Sequence, residues 1–131
     1  MIGSLLYLTG PRLDIMHAMG IVGRFQENPK EAHLQVVKRI FKYLQGTQNY
    51  GLWYPRETNL TLHAYTDADW AGSVDDRKST SGGAFYIGSR LVSCFSKKQS
   101  SIALSTVEAE YVAAASCCTQ LLWMMQTLQD I

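Results

Sequence analysis

Residues 83–96, GAFYIGSRLVSCFS, decide the fold, because they combine two β-prone segments with a turn signal between them. Gly88-Ser89 is a dipeptide that suits the two-residue turn of a β-hairpin. The flanking segments 83–87 and 90–96 carry aromatic and β-branched side chains and are long enough to be strands. The stretch therefore predicts two antiparallel strands joined by a tight turn.

A third strand precedes this hairpin and a long helix follows it. Residues 60–67, LTLHAYTD, alternate as a strand does, and residues 72–82 are rich in Gly, Ser, Asp, Arg and Lys, which predicts a loop. Ser105 and Glu108 match a capping box and predict a helix over about residues 106–128. The apolar residues predicted to form the buried stripe of this helix are Val107, Tyr111, Ala114, Cys118, Leu121, Leu122, Met125 and Leu128.

The first 49 residues predict helices only. Residues 1–26 form two helical pieces broken at Gly10, with Pro11 at the start of the second piece. Asn28 is the predicted cap of a further helix, with Pro29 at its first position and Gly46 at its end. The predicted apolar stripe of that helix is Val37, Ile40, Phe41 and Leu44.

The chain is therefore predicted to be an α+β protein in two parts. Residues 1–49 form a helical segment, and residues 50–131 form three antiparallel strands and one long helix. Residues 50–54 are a candidate for a short extra strand that ends at Pro55.

Composition excludes several classes of protein. Apolar residues make up 47% of the chain and charged residues 18%, which excludes a disordered tail, and no apolar run approaches the roughly 18–20 residues that span a bilayer. The net charge is +1, but residues 1–60 carry seven basic and four acidic side chains, whereas residues 61–131 carry five and seven. This asymmetry suits a protein that holds a polyanion with one part and metal ions with the other, or it is ordinary scatter.

The cysteines and histidines show no metal-binding spacing. Cys94, Cys117 and Cys118 are an odd number and form neither a disulfide framework nor a zinc motif. We therefore expect free thiols in a reducing, intracellular compartment, cytoplasmic or nuclear, because no targeting signal is evident.

Two pairs of acidic residues are candidates for chemistry. Asp67 and Asp69 lie at the end of a predicted strand, where one or two carboxylates can hold Mg²⁺, although a turn-forming role is the more frequent explanation. Glu108 is explained by the capping box, whereas Glu110 falls on the edge of the predicted buried stripe at ~100° per residue. Because a carboxylate turned toward a sheet is costly unless a cation or a donor meets it, Glu110 is the more informative acid.

Four separated motifs in the second half of the chain carry a resemblance to a known family. They are DADWAG at 67–72, DRKSTSG at 76–82, SKKQ at 96–99 and ALSTVEAEY at 103–111. Together they resemble the ribonuclease H region of copia-type retrotransposon Pol polyproteins. Segments 3–10 and 38–47 resemble the end of the preceding reverse transcriptase and its connection.

The resemblance implies a mechanism and a set of site residues. Such enzymes cleave the RNA strand of an RNA–DNA hybrid with two Mg²⁺ ions, one of which activates a water while the other stabilises the leaving oxygen. Asp67 matches the first-strand acid of the family and Glu110 its first-helix acid, so both are implied to be catalytic metal ligands. The cations expected to approach nucleic acid, each of which also suits a solvated surface, are Lys38, Arg39, Lys42, Lys97 and Lys98.

The chain also departs from the family pattern. The family carries a third acid in an Asp-Asn pair on a strand after the long helix, and this sequence ends at Ile131 before such a pair. We therefore expect an incomplete Mg²⁺ site and an open edge on the strand of Asp67. The expected partners are an RNA–DNA hybrid and the rest of a Pol polyprotein, without a membrane. Two hypotheses remain: an Mg²⁺-dependent ribonuclease H, and an inactive remnant that at most binds nucleic acid weakly.

Overall fold

Helices form the first part of the chain, and a sheet with one long helix forms the second. The structure, a computed structural model, describes residues 1–56 and 59–130 and divides into two units, residues 1–52 and 53–131. The predicted α+β class is confirmed, and none of the helices in the described residues is both long and apolar enough to cross a membrane. The elements are α1 (Ile2–Leu8), a 3₁₀ turn (Leu13–Ile15), α2 (Met16–Gly23), α3 (Glu31–Gly46), β1 (Leu62–Asp69), β2 (Thr80–Ile87), β3 (Arg90–Lys98) and α4 (Thr106–Gln129).

The helical unit packs its apolar side chains into one cluster. Met19 of α2 is fully buried, and Val37 and Ile40 are the buried part of the predicted stripe of α3. Phe41 was also predicted for that stripe, but it is exposed. Burying each large apolar side chain stabilises the fold by roughly 1.5–3 kcal/mol. The cluster that joins the three helices contains Leu5, Ile15, Met19, Val22, Val37 and Ile40.

The predicted start of the second helix at Pro11 is wrong, since α2 begins at Met16. Arg12 has φ −117° and ψ 73°, which is not helical. Its guanidinium Nη2 donates to Asp14 Oδ2 and to Thr47 Oγ1, each at 2.7 Å. These side-chain bonds hold the chain in an irregular turn where the sequence predicted a helix.

The predicted start of α3 is also wrong, because Lys30 and not Asn28 is its N-cap. The backbone N–H of Lys30 donates to Nδ1 of His33 at 3.0 Å. The His33 ring also stacks on Phe25, with ring centroids 4.2 Å apart. His33 therefore supplies the side chain that accepts the N-cap backbone N–H at the start of α3.

The three strands form one antiparallel sheet in the order β1-β2-β3, so β1 is an edge strand. The predicted hairpin turn is confirmed, and Gly88 has a φ of 60°, which glycine adopts without strain. β1 and β2 pair from Leu62 with Ile87 to Asp69 with Thr80. The strands are thus longer at this end than the sequence predicted, and Asp67 lies within β1 rather than at its end.

Residues 50–54 form no strand, contrary to the prediction. The backbone N–H of Tyr50 donates to the carbonyl of Thr47 and closes a turn after α3. The hydroxyl of Tyr54 donates to the carbonyl of Leu91 at 2.9 Å. A side-chain hydrogen bond, and not strand pairing, therefore attaches Tyr54 to β3.

The predicted extent of α4 is confirmed, but its predicted buried stripe is wrong. The buried residues of α4 are Ala109, Ala113 and Cys117, spaced four residues apart. Small side chains along this line let the helix lie close to the sheet, where Phe85 is 1% exposed. The large apolar residues predicted to be buried are exposed instead, namely Val107, Tyr111, Leu122, Met125 and Leu128.

Candidate functional site

Glu110 of α4 reaches the open edge of β1. Its Oε1 accepts a hydrogen bond from the backbone N–H of Ala68 at 3.3 Å. The sequence predicted that a cation or a donor must meet this carboxylate, and the donor is a backbone group of the edge strand. The bond places the acid of α4 against the residue that directly follows Asp67.

Asp67 lies on the same edge strand, but its side chain points to the face of the sheet that α4 does not cover. Thr66 lines a shallow groove together with Glu110, Tyr111 and Ala114, which puts Thr66 on the face that α4 covers. Because side chains alternate along a strand, Asp67 is directed to the opposite face, where it pairs with Gly82 and is exposed. The two carboxylates therefore approach the open edge of β1 from opposite faces of the sheet.

Asp69 forms part of the turn that follows β1. A Cβ atom on Gly72 would lie only 1.8 Å from Oδ2 of Asp69, so a larger residue at position 72 would displace the Asp69 carboxylate. Ala71 between them has a φ of 53°, and the indole Nε1 of Trp70 donates to the carbonyl of Ala103 at 3.1 Å. This geometry matches the turn-forming interpretation of Asp69.

Glu108 acts at the start of α4. Oγ of Ser105 accepts from the backbone N–H of Glu108 at 3.2 Å, and Oε2 of Glu108 accepts from the backbone N–H of Leu104 at 2.6 Å. The predicted cap is therefore present, except that the Glu108 carboxylate accepts from the N–H of Leu104 and not from that of Ser105. Glu108 and Glu110, two residues apart, thus have separate environments.

The edge of β1 offers the type of ligand that Mg²⁺ binds. Mg²⁺ prefers oxygen ligands and is commonly held by one or two carboxylates together with waters and substrate phosphates. Asp67 and Glu110 supply two carboxylates, both exposed. Within residues 1–56 and 59–130 no group of three or more His, Cys, Asp or Glu side chains is arranged to hold a metal. The sequence predicted that these two acids hold the same metal site, and their approach from opposite faces of the sheet runs against that prediction.

Two of the predicted cations lie at the same end of the sheet as Asp67. Ala68 pairs with Ser81, which pairs with Lys97, so Lys97 is two strands away, roughly 10 Å across the sheet. Lys98 is already engaged, because its Nζ lies 2.7 Å from Oδ2 of Asp76. This ion pair was not predicted, since Asp76 lies in a loop whose path the sequence pattern did not define.

The other three predicted cations belong to the helical unit. Lys38, Arg39 and Lys42 are all exposed on α3. Lys38 and Lys42 are four residues apart and therefore share one side of the helix. They remain candidates for contact with a phosphate backbone.

Comparison with known proteins finds relatives over nearly the whole chain. The chain is 42% identical over 130 residues to the retrovirus-related Pol polyprotein from transposon RE1 of Arabidopsis thaliana, covering 99% of this chain and 9% of that protein. It is 43% identical over 131 residues to the retrovirus-related Pol polyprotein from transposon TNT 1-94 of Nicotiana tabacum, covering 99% and 10%. It is 41% identical over 124 residues to secreted RxLR effector protein 161 of Plasmopara viticola, covering 94% and 87%.

No protein-family model and no solved structure matches the chain. The chain spans 9–10% of the length of the two Pol polyproteins, so it corresponds to one short region of them. The effector protein, in contrast, is matched over most of its length. The identities extend over both units described above. The chain therefore belongs to the family of the copia-type retrotransposon Pol polyproteins.

Proposed function

We propose that the chain is the ribonuclease H region of such a Pol polyprotein and hydrolyses the RNA strand of RNA–DNA hybrids with Mg²⁺. The observation that carries the proposal is the hydrogen bond between the backbone N–H of Ala68 and Oε1 of Glu110, because it brings the acid of α4 to the strand of Asp67. The family and its matching motifs support the same reading. The rest of the Pol polyprotein as partner, and a cytoplasmic or nuclear location, belong to the proposal.

The residues of this chain have distinct roles in that reaction. Asp67 and Glu110 would hold Mg²⁺ at the open edge of β1, and the N–H of Ala68 keeps the Glu110 carboxylate at that edge. Mg²⁺, when bound, supplies positive charge at the scissile phosphate and lowers the pKa of a bound water. Because both carboxylates are exposed, a nucleic-acid backbone has direct access to them. Lys97, roughly 10 Å across the sheet, is suited to a flanking phosphate.

The proposal is tested by cleavage of a labelled RNA–DNA hybrid by the purified chain in Mg²⁺. Asp67→Asn is expected to abolish cleavage, because it removes a ligand charge without changing side-chain shape. Asp69→Asn is the matched control on the same strand, since Asp69 packs on Gly72 and is expected to leave cleavage intact. Glu110→Gln is expected to abolish cleavage, with Glu108→Gln as its control on the same helix.

Two results would overturn the enzymatic proposal. One is the absence of Mg²⁺-dependent cleavage by the folded wild-type chain. The other is cleavage that survives both Asp67→Asn and Glu110→Gln, which would assign the activity to other groups or to a contaminating nuclease.

The alternative is a nucleic-acid-binding module without catalysis. It is favoured by the lack, in the described part of the chain, of a group of three acids that could hold a metal. The effector relative, matched over 87% of its length, shows that this stretch also occurs as a protein of similar size. Hybrid binding that weakens steeply with salt, without cleavage, is the expected result for this function. Salt-insensitive binding would contradict it, because phosphate contacts release counterions.

A further inference from the structure

Gln99 lies just beyond β3 and is buried between the sheet and α4. Its backbone N–H donates to the carbonyl of Ser79 at 2.8 Å, so the pairing of β3 with β2 continues one residue past Lys98. Only 6% of Gln99 is exposed. The proposed reaction assigns no part to this side chain, although it belongs to the SKKQ motif at 96–99.

The side-chain amide of Gln99 joins two elements of the fold. Its Nε2 donates to Oγ of Ser81 on β2 at 2.9 Å and to the backbone carbonyl of Ala109 on α4 at 3.0 Å. Ser81 is 3% exposed and Ala109 is 1% exposed, so both hydrogen bonds are shielded from solvent. Because a primary amide has two N–H donors, each bond uses one of them. Gln99 thus attaches the first turn of α4 to the central strand of the sheet.

These two hydrogen bonds belong to a closed ring of contacts that includes Glu110. Ser81 pairs with Ala68 in the sheet, and the N–H of Ala68 donates to Oε1 of Glu110 at 3.3 Å. Glu110 directly follows Ala109, whose carbonyl accepts from Gln99. The members of the ring are Gln99, Ser81, Ala68, Glu110 and Ala109.

The apolar packing of α4 does not by itself fix how the helix is rotated about its axis. Ala109, Ala113 and Cys117 let the helix approach the sheet, but contacts between apolar surfaces are non-directional. A hydrogen bond is directional, because it weakens steeply as its angle departs from linear. The bond to Ala109 therefore restrains the rotation of α4 one residue before Glu110.

We propose that Gln99 is a positioning residue, whose bonds to Ser81 and Ala109 hold α4 in the rotation that brings the Glu110 carboxylate to the edge of β1. Gln99 acts through Glu110 and does not touch the reacting atoms. The value of this placement for hydrolysis rests on the proposed function, whereas the placement itself does not.

Amide hydrogen exchange, followed by NMR, tests the placement in the full chain without Mg²⁺ or nucleic acid. Gln99→Met keeps the length of the side chain and removes both N–H donors. It also removes Oε1, a buried acceptor without a hydrogen-bond partner among residues 1–56 and 59–130. The Ala68 amide is expected to exchange about 2- to 10-fold faster in this variant, the range that follows from the loss of one hydrogen bond. Glu110→Ala removes the acceptor and sets the rate of the unpaired amide.

Tyr54→Phe is the matched control for Gln99→Met. It removes the hydrogen bond from the Tyr54 hydroxyl to the Leu91 carbonyl, at the other end of β3, and should leave the Ala68 rate unchanged. A general loss of stability would speed exchange throughout β2 and β3, so the amides of these strands distinguish a displaced carboxylate from a weakened sheet.

Ser81→Ala is the second variant, and it carries the test if Gln99→Met does not fold. It removes the acceptor of Gln99 on β2 and leaves the bond to Ala109 without its anchor on the sheet. Exchange at Ala68 should become faster in this variant as well.

Hybrid cleavage tests what the placement contributes to the reaction. A displacement of about 1 Å can lower the rate about 100-fold. We therefore expect kcat of Gln99→Met to fall by about this factor, with KM little changed because the buried Gln99 does not meet the hybrid. Tyr54→Phe should cleave as the wild type does.

An unchanged Ala68 rate in folded Gln99→Met would overturn the inference, and so would faster exchange at Ala68 in a variant that keeps full kcat. A wild-type chain that never cleaves hybrid would remove the enzymatic proposal alone, since the exchange rates still decide whether Gln99 positions Glu110. Cleavage by the wild type together with unchanged exchange in Gln99→Met would remove only the inference.

Discussion

Glu110 on α4 and Ala68 on β1 are joined by a 3.3 Å hydrogen bond between a carboxylate oxygen and a backbone N–H. That N–H belongs to an edge strand, where no neighbouring strand of the described sheet takes it. The contact arises because Ala109 and Ala113 face the sheet and leave Glu110 at the margin of the helix–sheet contact. The small residues of α4 thus determine where the candidate acid stands.

Ala113→Leu tests the close approach of α4. Ala113 is completely buried against the sheet, so three added carbons must displace the helix. We expect a loss of about 1–3 kcal/mol in the free energy of unfolding, measured by urea denaturation. Ala115→Leu, on the exposed side of the same helix, should change it by less than about 0.5 kcal/mol. Equal effects at both positions would contradict the described packing.

Ser105→Ala tests the N-terminal cap of α4. Oγ of Ser105 accepts the backbone N–H of Glu108, which would lose its partner in the variant. The free energy of unfolding should fall by about 1 kcal/mol in urea denaturation. Ser101→Ala, an exposed serine before the helix, is the control and should have little effect. A stable Ser105→Ala variant would show that Glu108 and Leu104 suffice as the cap.

The helical unit should lose stability in acid through Asp14. Hydrogen bonds from Arg12 and then Tyr43 hold the pKa of Asp14 at about 2, below its ordinary value of 3.8. A depressed carboxyl pKa stabilises the fold above the unfolded value and loses this contribution as pH falls through the folded one. The loss is therefore expected between about pH 4 and pH 2.

Asp14→Asn should flatten the pH dependence of unfolding in that window, as followed by urea denaturation with circular dichroism. Asp76 titrates in the same direction, so part of the slope should remain. Asp75→Asn removes an exposed carboxylate in the other unit and is the control for the loss of one acidic side chain. A slope that is identical in Asp14→Asn and wild type would show that the Arg12 contact does not stabilise the fold.

Local signals in the sequence predicted the elements well where they were strong. The turn depends on the backbone conformation of Gly88, and the cap depends on a hydrogen bond between Ser105 and Glu108, three residues apart. Residues close in sequence therefore define both features. The start of α2 depends on a hydrogen bond from Arg12 to Thr47, and the start of α3 depends on one from the Lys30 N–H to His33. The sequence patterns used to predict helix starts do not include such bonds. Helix starts that depend on such side chains are visible only in the folded chain.

The rotation of α4 was the main failure of prediction. The sequence offered more large apolar residues than this sheet buries, and the pattern assigned them to the core. The structure buries Ala109, Ala113 and Cys117 instead, because close contact with the sheet favours small side chains. Glu110 lies beside either stripe, and its exposed carboxylate accepts a hydrogen bond from the N–H of Ala68.

The most direct test of the shared site replaces Mg²⁺ by paramagnetic Mn²⁺ and follows backbone amide signals by NMR. If Asp67 and Glu110 hold one ion at the edge of β1, broadening should be strongest at Asp67, Ala68 and Glu110. It should disappear in Asp67→Asn and persist in Asp69→Asn. Broadening centred on the loop of Asp75 and Asp76, or broadening that Asp67→Asn leaves unchanged, would contradict the account.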